Sequence, residues 1–109
     1  MLLAFAWQAN AAPILPEEAK NHISETVNVR GLVEQVSFSR KGHVFLNFGG
    51  WYPRQVFTGF VRAQDVERVG GQGFLRSLAG NPLTISGKIE LYKGRPEIVI
   101  TSPAQIESL

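Results

Sequence analysis

The sequence predicts an all-β protein, a single closed barrel of five short strands in Greek-key order with a short N-terminal helix and a helix between strands three and four. Three observations predict it. Apolar and polar residues alternate in five separate stretches, as in strands that bury one face. The 11 glycines and 6 prolines punctuate the chain, which favours many short strands over a few long helices. At 109 residues, with 44% hydrophobic residues, the chain suits one domain.

Residues 1–11 predict an export signal. An apolar stretch ends at Trp7, and Ala9 and Ala11 fit the small-x-small pattern for cleavage after Ala11. The stretch is too short to span a bilayer. We therefore expect an exported, periplasmic protein whose single domain is residues 12–109. If residues 1–11 are instead a tail, we expect the protein in the cytoplasm.

A short helix is predicted from Pro16 to Ile23. Proline suits the first position of a helix, and the acidic residues that follow it complement the helix dipole. Leu15, Ala19 and Ile23 recur every four residues, which predicts a buried stripe on this helix.

The first strand is predicted to contain a bulge. Val27, Val29 and Val33 share one phase of a two-residue alternation, whereas Val36 and Phe38 continue in the opposite phase. Such a phase change within one strand indicates a bulge or a sharp coil, which small barrels use to pass a strand from one sheet to another.

The second strand is predicted at His43–Phe48 and the third at Val56–Val61. Alternation predicts that one set of side chains fills the barrel, namely Val44, Leu46, Phe48, Phe57, Gly59 and Val61. The outer face then carries Phe45 and Asn47 on the second strand and Thr58 and Phe60 on the third.

The rest of the chain predicts a helical connection and a closing hairpin. Asp65 is placed to cap a helical turn at Val66–Val69, and Phe74, Leu75 and Leu78 have helical spacing. Strict alternation over 83–91 predicts the fourth strand, Lys93-Gly94 a hairpin turn, and residues 97–101 the closing strand. Three strands, a helix and two strands in this order match the five-stranded OB-fold barrel.

The chain also resembles a known family. Residues 87–98 and 102–106 resemble the closing hairpin of small bacterial OB-fold proteins that bind nucleic acid, and residues 41–49 resemble their second strand. The resemblance implies an exported or add-on module with this fold, and it implies nucleic acid as the ligand.

Binding residues follow from the face that OB barrels use, which is the second and third strands with the loops joining strands one to two and four to five. Those loops carry cations suited to phosphates, namely Arg40, Lys41, Lys93 and Arg95. An outward Phe45 beside Asn47, together with Phe60, suits base stacking. Alternatively, the cations only keep the turns soluble, and the N-terminal helix or the 49–55 loop covers the two rings.

Trp51, Tyr52 and Arg54 in the 49–55 loop could clamp a base or a sugar, but we favour Trp51 as a lid folded on the barrel. Tyr92 and Glu97 are expected to be structural, and a surface pair of Glu97 with Arg95 or Lys88 would contribute little, about 0–1 kcal/mol.

Catalysis is not expected. The chain has no cysteine, two histidines and one aspartate, and His22 and His43 have no metal-ligand spacing. We therefore expect a binding module, with no cofactor and no metal. The net charge is only +2, yet residues 30–62 hold five basic residues and one acid, which favours a polyanion. Weak, sequence-tolerant binding of single-stranded DNA or RNA is the leading hypothesis. The alternative is an envelope module that binds a protein or glycan on the same face.

Overall fold

The structure, a computed structural model, describes residues 12–108, and its strands form the barrel that the sequence predicts. The strands are β1 (Thr26–Phe38), β2 (Val44–Phe48), β3 (Phe57–Val61), β4 (Pro82–Tyr92), β5 (Arg95–Val99) and β6 (Ile106–Ser108). The helices are α1 (Val66–Val69) and α2 (Gln72–Ser77), with 3-10 turns at Pro16–Asn21, Ala63–Asp65 and Pro103–Gln105. The predicted export segment, residues 1–11, lies outside the described residues.

Five strands close into a ring. Their order is β1-β2-β3-β5-β4, and β4 pairs with β1 to complete the circuit. All neighbours are antiparallel except β3 and β5, which are parallel. Closure removes exposed strand edges. This is the predicted OB-fold barrel, and the short strand β6, which the sequence pattern did not predict, adds to β4.

A bulge in β1 joins the two halves of the barrel. The register slips between Val33, which pairs with Phe48, and Gln35, which pairs with Asn47. Residues 26–32 of β1 pair with β4, and residues from Val33 onward, across the bulge, pair with β2. The phase change in the sequence therefore predicted this feature correctly, because an extra residue turns the strand and reverses which side chains face in.

The barrel interior is filled by alternate side chains of all five strands. The inward positions predicted on β2 and β3 are confirmed: Val44, Leu46, Phe48, Phe57 and Val61 are fully buried. Gly59 is inward too, and a Cβ there would lie 2.6 Å from Cδ1 of Ile85. Only glycine therefore lets β4 pack this closely against β3.

The connection from β3 to β4 is helical, as predicted. Val66, Val69, Leu75 and Leu78 are buried, whereas Phe74 is exposed. The predicted capping role of Asp65 is wrong, because its side chain makes no cap hydrogen bond. Its carboxylate instead pairs with Arg68 at 2.8 Å and Arg62 at 3.7 Å.

The predicted N-terminal helix is a 3-10 turn that covers part of the barrel. Ala19 is buried and Ile23 half-buried, but Leu15 is exposed and does not belong to the predicted stripe. The backbone N–H of Leu15 instead donates to the Glu18 carboxylate at 2.8 Å. In the described chain no helix has the length and hydropathy needed to cross a membrane.

The turn between β4 and β5 is a two-residue hairpin, as predicted. Lys93 and Gly94 both have positive φ, at 52° and 80°, which is the geometry of a type I′ turn. A turn this tight places Tyr92 directly opposite Arg95.

Candidate nucleic-acid interface

Two aromatic rings meet on the outer face of the barrel. Phe45 on β2 and Phe60 on β3 are partners in register, and their ring centroids lie 5.1 Å apart. Both side chains are half-buried. His43 lies 5.5 Å from Phe60, and its Nδ1 accepts a hydrogen bond from the backbone N–H of Ala63. The pair leaves part of each ring open to a stacking partner, which is what the sequence predicted for them.

The prediction that Asn47 is exposed to solvent is wrong, although its side chain points away from the barrel interior as predicted. Its side chain has no exposed surface, because residues of β1 and β3 enclose it. Its Nδ2 donates to Gln35 Oε1 at 2.9 Å and to Ser37 Oγ at 3.1 Å, and its Oδ1 accepts from the Thr58 hydroxyl at 3.4 Å. Asn47 therefore belongs to a buried polar network beneath the face.

The network continues towards the surface in both directions. Gln55 Nε2 donates to Thr58 Oγ1 at 3.1 Å, and the backbone N–H of Tyr52 donates to Gln35 Oε1 at 2.8 Å. These bonds tie the loop between β2 and β3 to the barrel. Gln55 is 7% exposed, and its Oε1 has no hydrogen-bond partner among the described residues. An unpaired buried acceptor is costly in a folded protein.

A pocket of about 310 Å³ opens above this network. Its walls come from the end of β1 and the turn that follows, from β2, β3, the end of β4 and β5, and from the two adjoining loops. It is lined by Ser37, Phe38, Ser39, Phe45, Tyr52, Gln55, Thr58, Tyr92, Lys93, Arg95, Pro96 and Glu97. Of the predicted binding residues, it brings together Phe45, Tyr52, Lys93 and Arg95, and it does not include Arg40, Lys41, Trp51, Arg54 or Phe60.

One carboxylate in the pocket has altered acidity. Burial, and to a smaller extent the Glu90 carboxylate, its partner across β4 and β5, together raise the pKa of Glu97 from the usual 4.5 to about 7. This carboxylate is therefore expected to titrate near neutral pH, well above its usual acidic range. Glu97 forms no ion pair with Arg95 or Lys88; the ion pairs within residues 12–108 are His22–Glu25, Arg62–Asp65 and Arg68–Asp65.

Cations lie in or next to the two turns that follow β1 and β4, and two of them line the pocket. Arg40 and Lys41 are exposed in the turn between β1 and β2. Lys93 lies over the Tyr92 ring, 5.4 Å from its centroid, and Arg95 is half-buried. None of the four forms an ion pair with a carboxylate within the described part of the chain. Their charge is therefore free to attract an anion.

Several side chains of the loop between β2 and β3 are exposed, although its backbone is hydrogen-bonded to the barrel. Trp51 is 64% exposed and Tyr52 62%, and Arg54 is exposed as well. The predicted lid arrangement of Trp51 is therefore wrong. Tyr52 differs from Trp51 because it also lines the pocket.

Sequence reasoning missed the deeper half of the site. The sequence pattern places Gln55 at the end of a loop and predicts structural roles for Tyr92 and Glu97. One signal was available: Glu97 alternates with the buried residues Pro96 and Ile98, so it had to face outward on the strand that closes the barrel. Its parallel pairing with Thr58 of β3, which brings it to this face, is long-range and has no local signature.

Metal ligation has no support in the described residues, 12–108, where no group of three or more His, Asp or Glu side chains is arranged to hold an ion. The chemistry of the face is instead aromatic, cationic and hydrogen-bonding.

Comparison with known proteins gives the fold. No protein-family model and no curated protein matches the chain. Among solved structures, 90% of the chain is similar to 22% of asparaginyl-tRNA synthetase from Pyrococcus horikoshii complexed with asparaginyl-adenylate, with a TM-score of 0.60 and 13% identity. Similarly, 77% of the chain is similar to 57% of a chain of the S. pombe Stn1-Ten1 complex, with a TM-score of 0.56 and 18% identity.

A third similar structure is close to this chain in size. OBody AM1L10 bound to hen egg-white lysozyme is similar over 94% of this chain and 90% of its own, with a TM-score of 0.53 and 16% identity. The chain spans about a fifth of the length of the tRNA synthetases that it matches. With the closed five-strand ring, these similarities define the chain as an OB-fold barrel.

Proposed function

We propose that the chain is a binding module, not an enzyme, and that it binds single-stranded nucleic acid on the outer face of β2, β3 and β5. The observation that carries this proposal is the half-exposed pair of Phe45 and Phe60. Stacking of a base on an aromatic ring tolerates any sequence, since every base has a π-face. The rings lie on the face that OB barrels use for oligonucleotides.

The cations supply the second part of the interaction. Arg40 and Lys41 approach the face from one loop, and Lys93 and Arg95 approach it from the other. Four phosphate contacts on a single strand correspond to a slope of log affinity against log salt of about −3. Because the net charge of the protein is only +2, we expect weak binding that depends strongly on salt.

The similar structures are consistent with a nucleic-acid ligand, but the proposal does not depend on them. Two of the similar structures are named as tRNA synthetases, and tRNA is a nucleic acid. Their similarity to this chain is limited to the fold. The sequence resemblance to small bacterial OB-fold proteins points to the same ligand.

Titration of a fluorescently labelled dT oligonucleotide at about 50 and 200 mM salt tests the proposal. We expect micromolar binding at low salt that weakens by more than tenfold at high salt. Absence of salt-sensitive binding at micromolar protein would contradict the proposal.

A second candidate is a module that binds a protein or glycan on the same face. It is favoured by the exposed Trp51 and by the similarity to an OBody bound to lysozyme. It also suits an exported protein, and we propose export to the periplasm on the composition of residues 1–11. Intact-mass measurement of the expressed protein tests whether Ala11 is the last residue removed, and pull-down from envelope extract tests for a protein partner.

A further inference from the structure

We propose that the pocket beside Phe45 is a subsite for one unstacked base, and that it selects guanine. This inference rests on the proposed function and deepens it, because it adds one selective position to an otherwise tolerant surface. It stands on three features of the pocket: the polarity of its hydrogen-bonding floor, its aromatic wall and its carboxylate.

An unpaired acceptor lies just beneath the floor of the pocket, and the hydrogen-bond network around it fixes this polarity. The backbone N–H of Tyr52 can only donate, so the atom of Gln35 that it meets is the oxygen Oε1. That oxygen also accepts from Asn47 Nδ2, which turns Asn47 Oδ1 towards the Thr58 hydroxyl. Thr58 donates to Asn47 and therefore accepts from Gln55 Nε2.

The end of this relay is the carbonyl oxygen of Gln55. The side chain is more than nine-tenths buried, it lines the pocket, and its Oε1 has no partner among the described residues. The Gln55 amide cannot be reversed without breaking the relay, because Nε2 would then lose Thr58. This oxygen is enclosed, with less than 1 Å² of its surface exposed, so a ligand in the pocket reaches it only when the groups that cover it move. A ligand that donates a hydrogen bond then satisfies the oxygen, and one that only accepts leaves it unpaired.

The size and walls of the pocket suit a flat ring. A volume of about 310 Å³ lies at the small end of the range for small-molecule sites, which suits one base and excludes a folded peptide segment. Phe45, Tyr52 and Tyr92 supply aromatic surface, and Lys93 and Arg95 lie at the same pocket, where they can neutralise the phosphates that flank the base. The two cations also disfavour a cationic occupant such as an arginine side chain.

The carboxylate distinguishes guanine from the other bases. Guanine presents two adjacent donors, N1–H and the N2 amino group, which match the two oxygens of an ionised carboxylate. Adenine and cytosine present one donor beside an acceptor, and thymine presents one N–H between two carbonyls. Glu97, when ionised, is acceptor-only, and a paired contact of this kind with a base discriminates by about tenfold or more.

The protonation of Glu97 makes this selection depend on pH. The charged and titratable groups around Glu97 are Glu90 on β4, Lys93 in the turn, Arg95 on β5, and the Tyr52 and Tyr92 phenols; β3 contributes the uncharged Thr58. Burial and Glu90 raise the pKa of Glu97 to about 7. Protonated Glu97 would direct its O–H at a guanine donor, so the preference for guanine grows as pH rises through about 7.

Competition among four oligonucleotides tests the subsite. Each is a dT strand of about nine nucleotides, within the range that one OB fold covers, with G, A, C or T at its centre. At about pH 8 we expect the G strand to bind about tenfold more tightly than the T strand, and at about pH 6 we expect the difference to fall below about threefold. The variant Glu97→Gln should lose both the preference and its pH dependence. The matched control Glu90→Gln should keep the preference and move its onset to lower pH, because a carboxylate that raises the pKa of Glu97 has been removed.

The outcomes separate the two proposals. Equal, salt-sensitive binding of all four strands at both pH values would overturn the subsite and leave the proposed function standing. Preference for G that persists in Glu97→Gln would also overturn the role given to the pocket. No binding of any strand would contradict the proposed function, and the subsite with it.

Discussion

The ring of Phe45 lies 5.1 Å from the ring of Phe60, its partner across β2 and β3, and both rings remain half-exposed on the outside of a closed barrel. The alternate residues of the same strands, such as Leu46 and Val61, are fully buried. The two rings stabilise the pairing of β2 with β3, but neither fills the barrel interior, so the exposed part of each can contact a ligand. We therefore interpret this pair as the stacking surface of the proposed interface.

Replacing Phe45 with alanine should weaken binding of a dT oligonucleotide by about 1–3 kcal/mol, the usual contribution of one base–aromatic stack. The salt slope should not change, because no charge is removed. Fluorescence titration at several salt concentrations measures both quantities.

The matched control for this variant is Phe74→Ala. Phe74 is an exposed phenylalanine on α2 and does not line the pocket, so its removal should leave affinity unaltered. Equal losses in the two variants would show that Phe45 has no specific role in binding.

Replacing both Arg40 and Lys41 with alanine should change the salt dependence of binding. If each cation contacts one phosphate, the slope of log affinity against log salt should become less steep by about 1.4. The double variant Lys20→Ala with Lys88→Ala removes the same charge from exposed positions on other elements. A similar reduction of slope in both double variants would indicate a general charge effect without local phosphate contacts.

Replacing Asn47 with alanine should reduce the stability of the fold. Asn47 is fully buried and holds Gln35, Ser37 and Thr58 together, so truncation leaves buried polar groups without partners. We expect the free energy of unfolding in urea to fall by about 1–3 kcal/mol. The variant Asn21→Ala, at an exposed position, should alter it by less than about 0.5 kcal/mol. An Asn47→Ala protein as stable as the wild type would contradict the buried network.

Glu97 should make stability depend on pH. Its pKa of about 7 in the folded protein lies above the usual 4.5, so the folded state holds the proton more tightly than the unfolded state. The stabilisation is fully present below about pH 4.5 and is lost as pH rises through about 7.

The variant Glu97→Gln tests this dependence, since it keeps the shape of the side chain and cannot ionise. It should be more stable than the wild type at about pH 8, by about 1–2 kcal/mol after allowance for partial solvent exposure, and about equal to it at pH 5. Thermal unfolding at the two pH values measures this, with Glu107→Gln, at an exposed position, as the control. A wild-type protein that is the more stable of the two at pH 8 would contradict the raised pKa.

The fold was predictable from the sequence because its determinants are local. Alternation along β2 and β3 identified the buried side chains, the phase change after Val33 identified the bulge, and Lys93-Gly94 identified the hairpin. Strand β6 was missed because three residues are too few for a periodic pattern, and Leu15 was misplaced because the predicted α-helix is a 3-10 turn.

The site was only partly predictable because its deeper residues come together through long-range pairing. Alternation places Asn47 outside the barrel, and that is geometrically correct. Its burial arises from Gln35 and Ser37 on the neighbouring strand and from Gln55 in the loop, and no local pattern predicts these contacts. In the same way, Glu97 reaches the face only because β5 runs parallel to β3.

NMR titration of the labelled protein with a dT oligonucleotide tests the location of the interface most directly. We expect the largest amide shift changes in β2, β3 and β5 and in the two cation-bearing turns, with Phe45 and its neighbours foremost, and little change in α1 and α2. Saturable changes confined to the helices or to the Pro16–Asn21 turn, or no changes at concentrations well above micromolar, would show that the aromatic face is not where this protein binds nucleic acid.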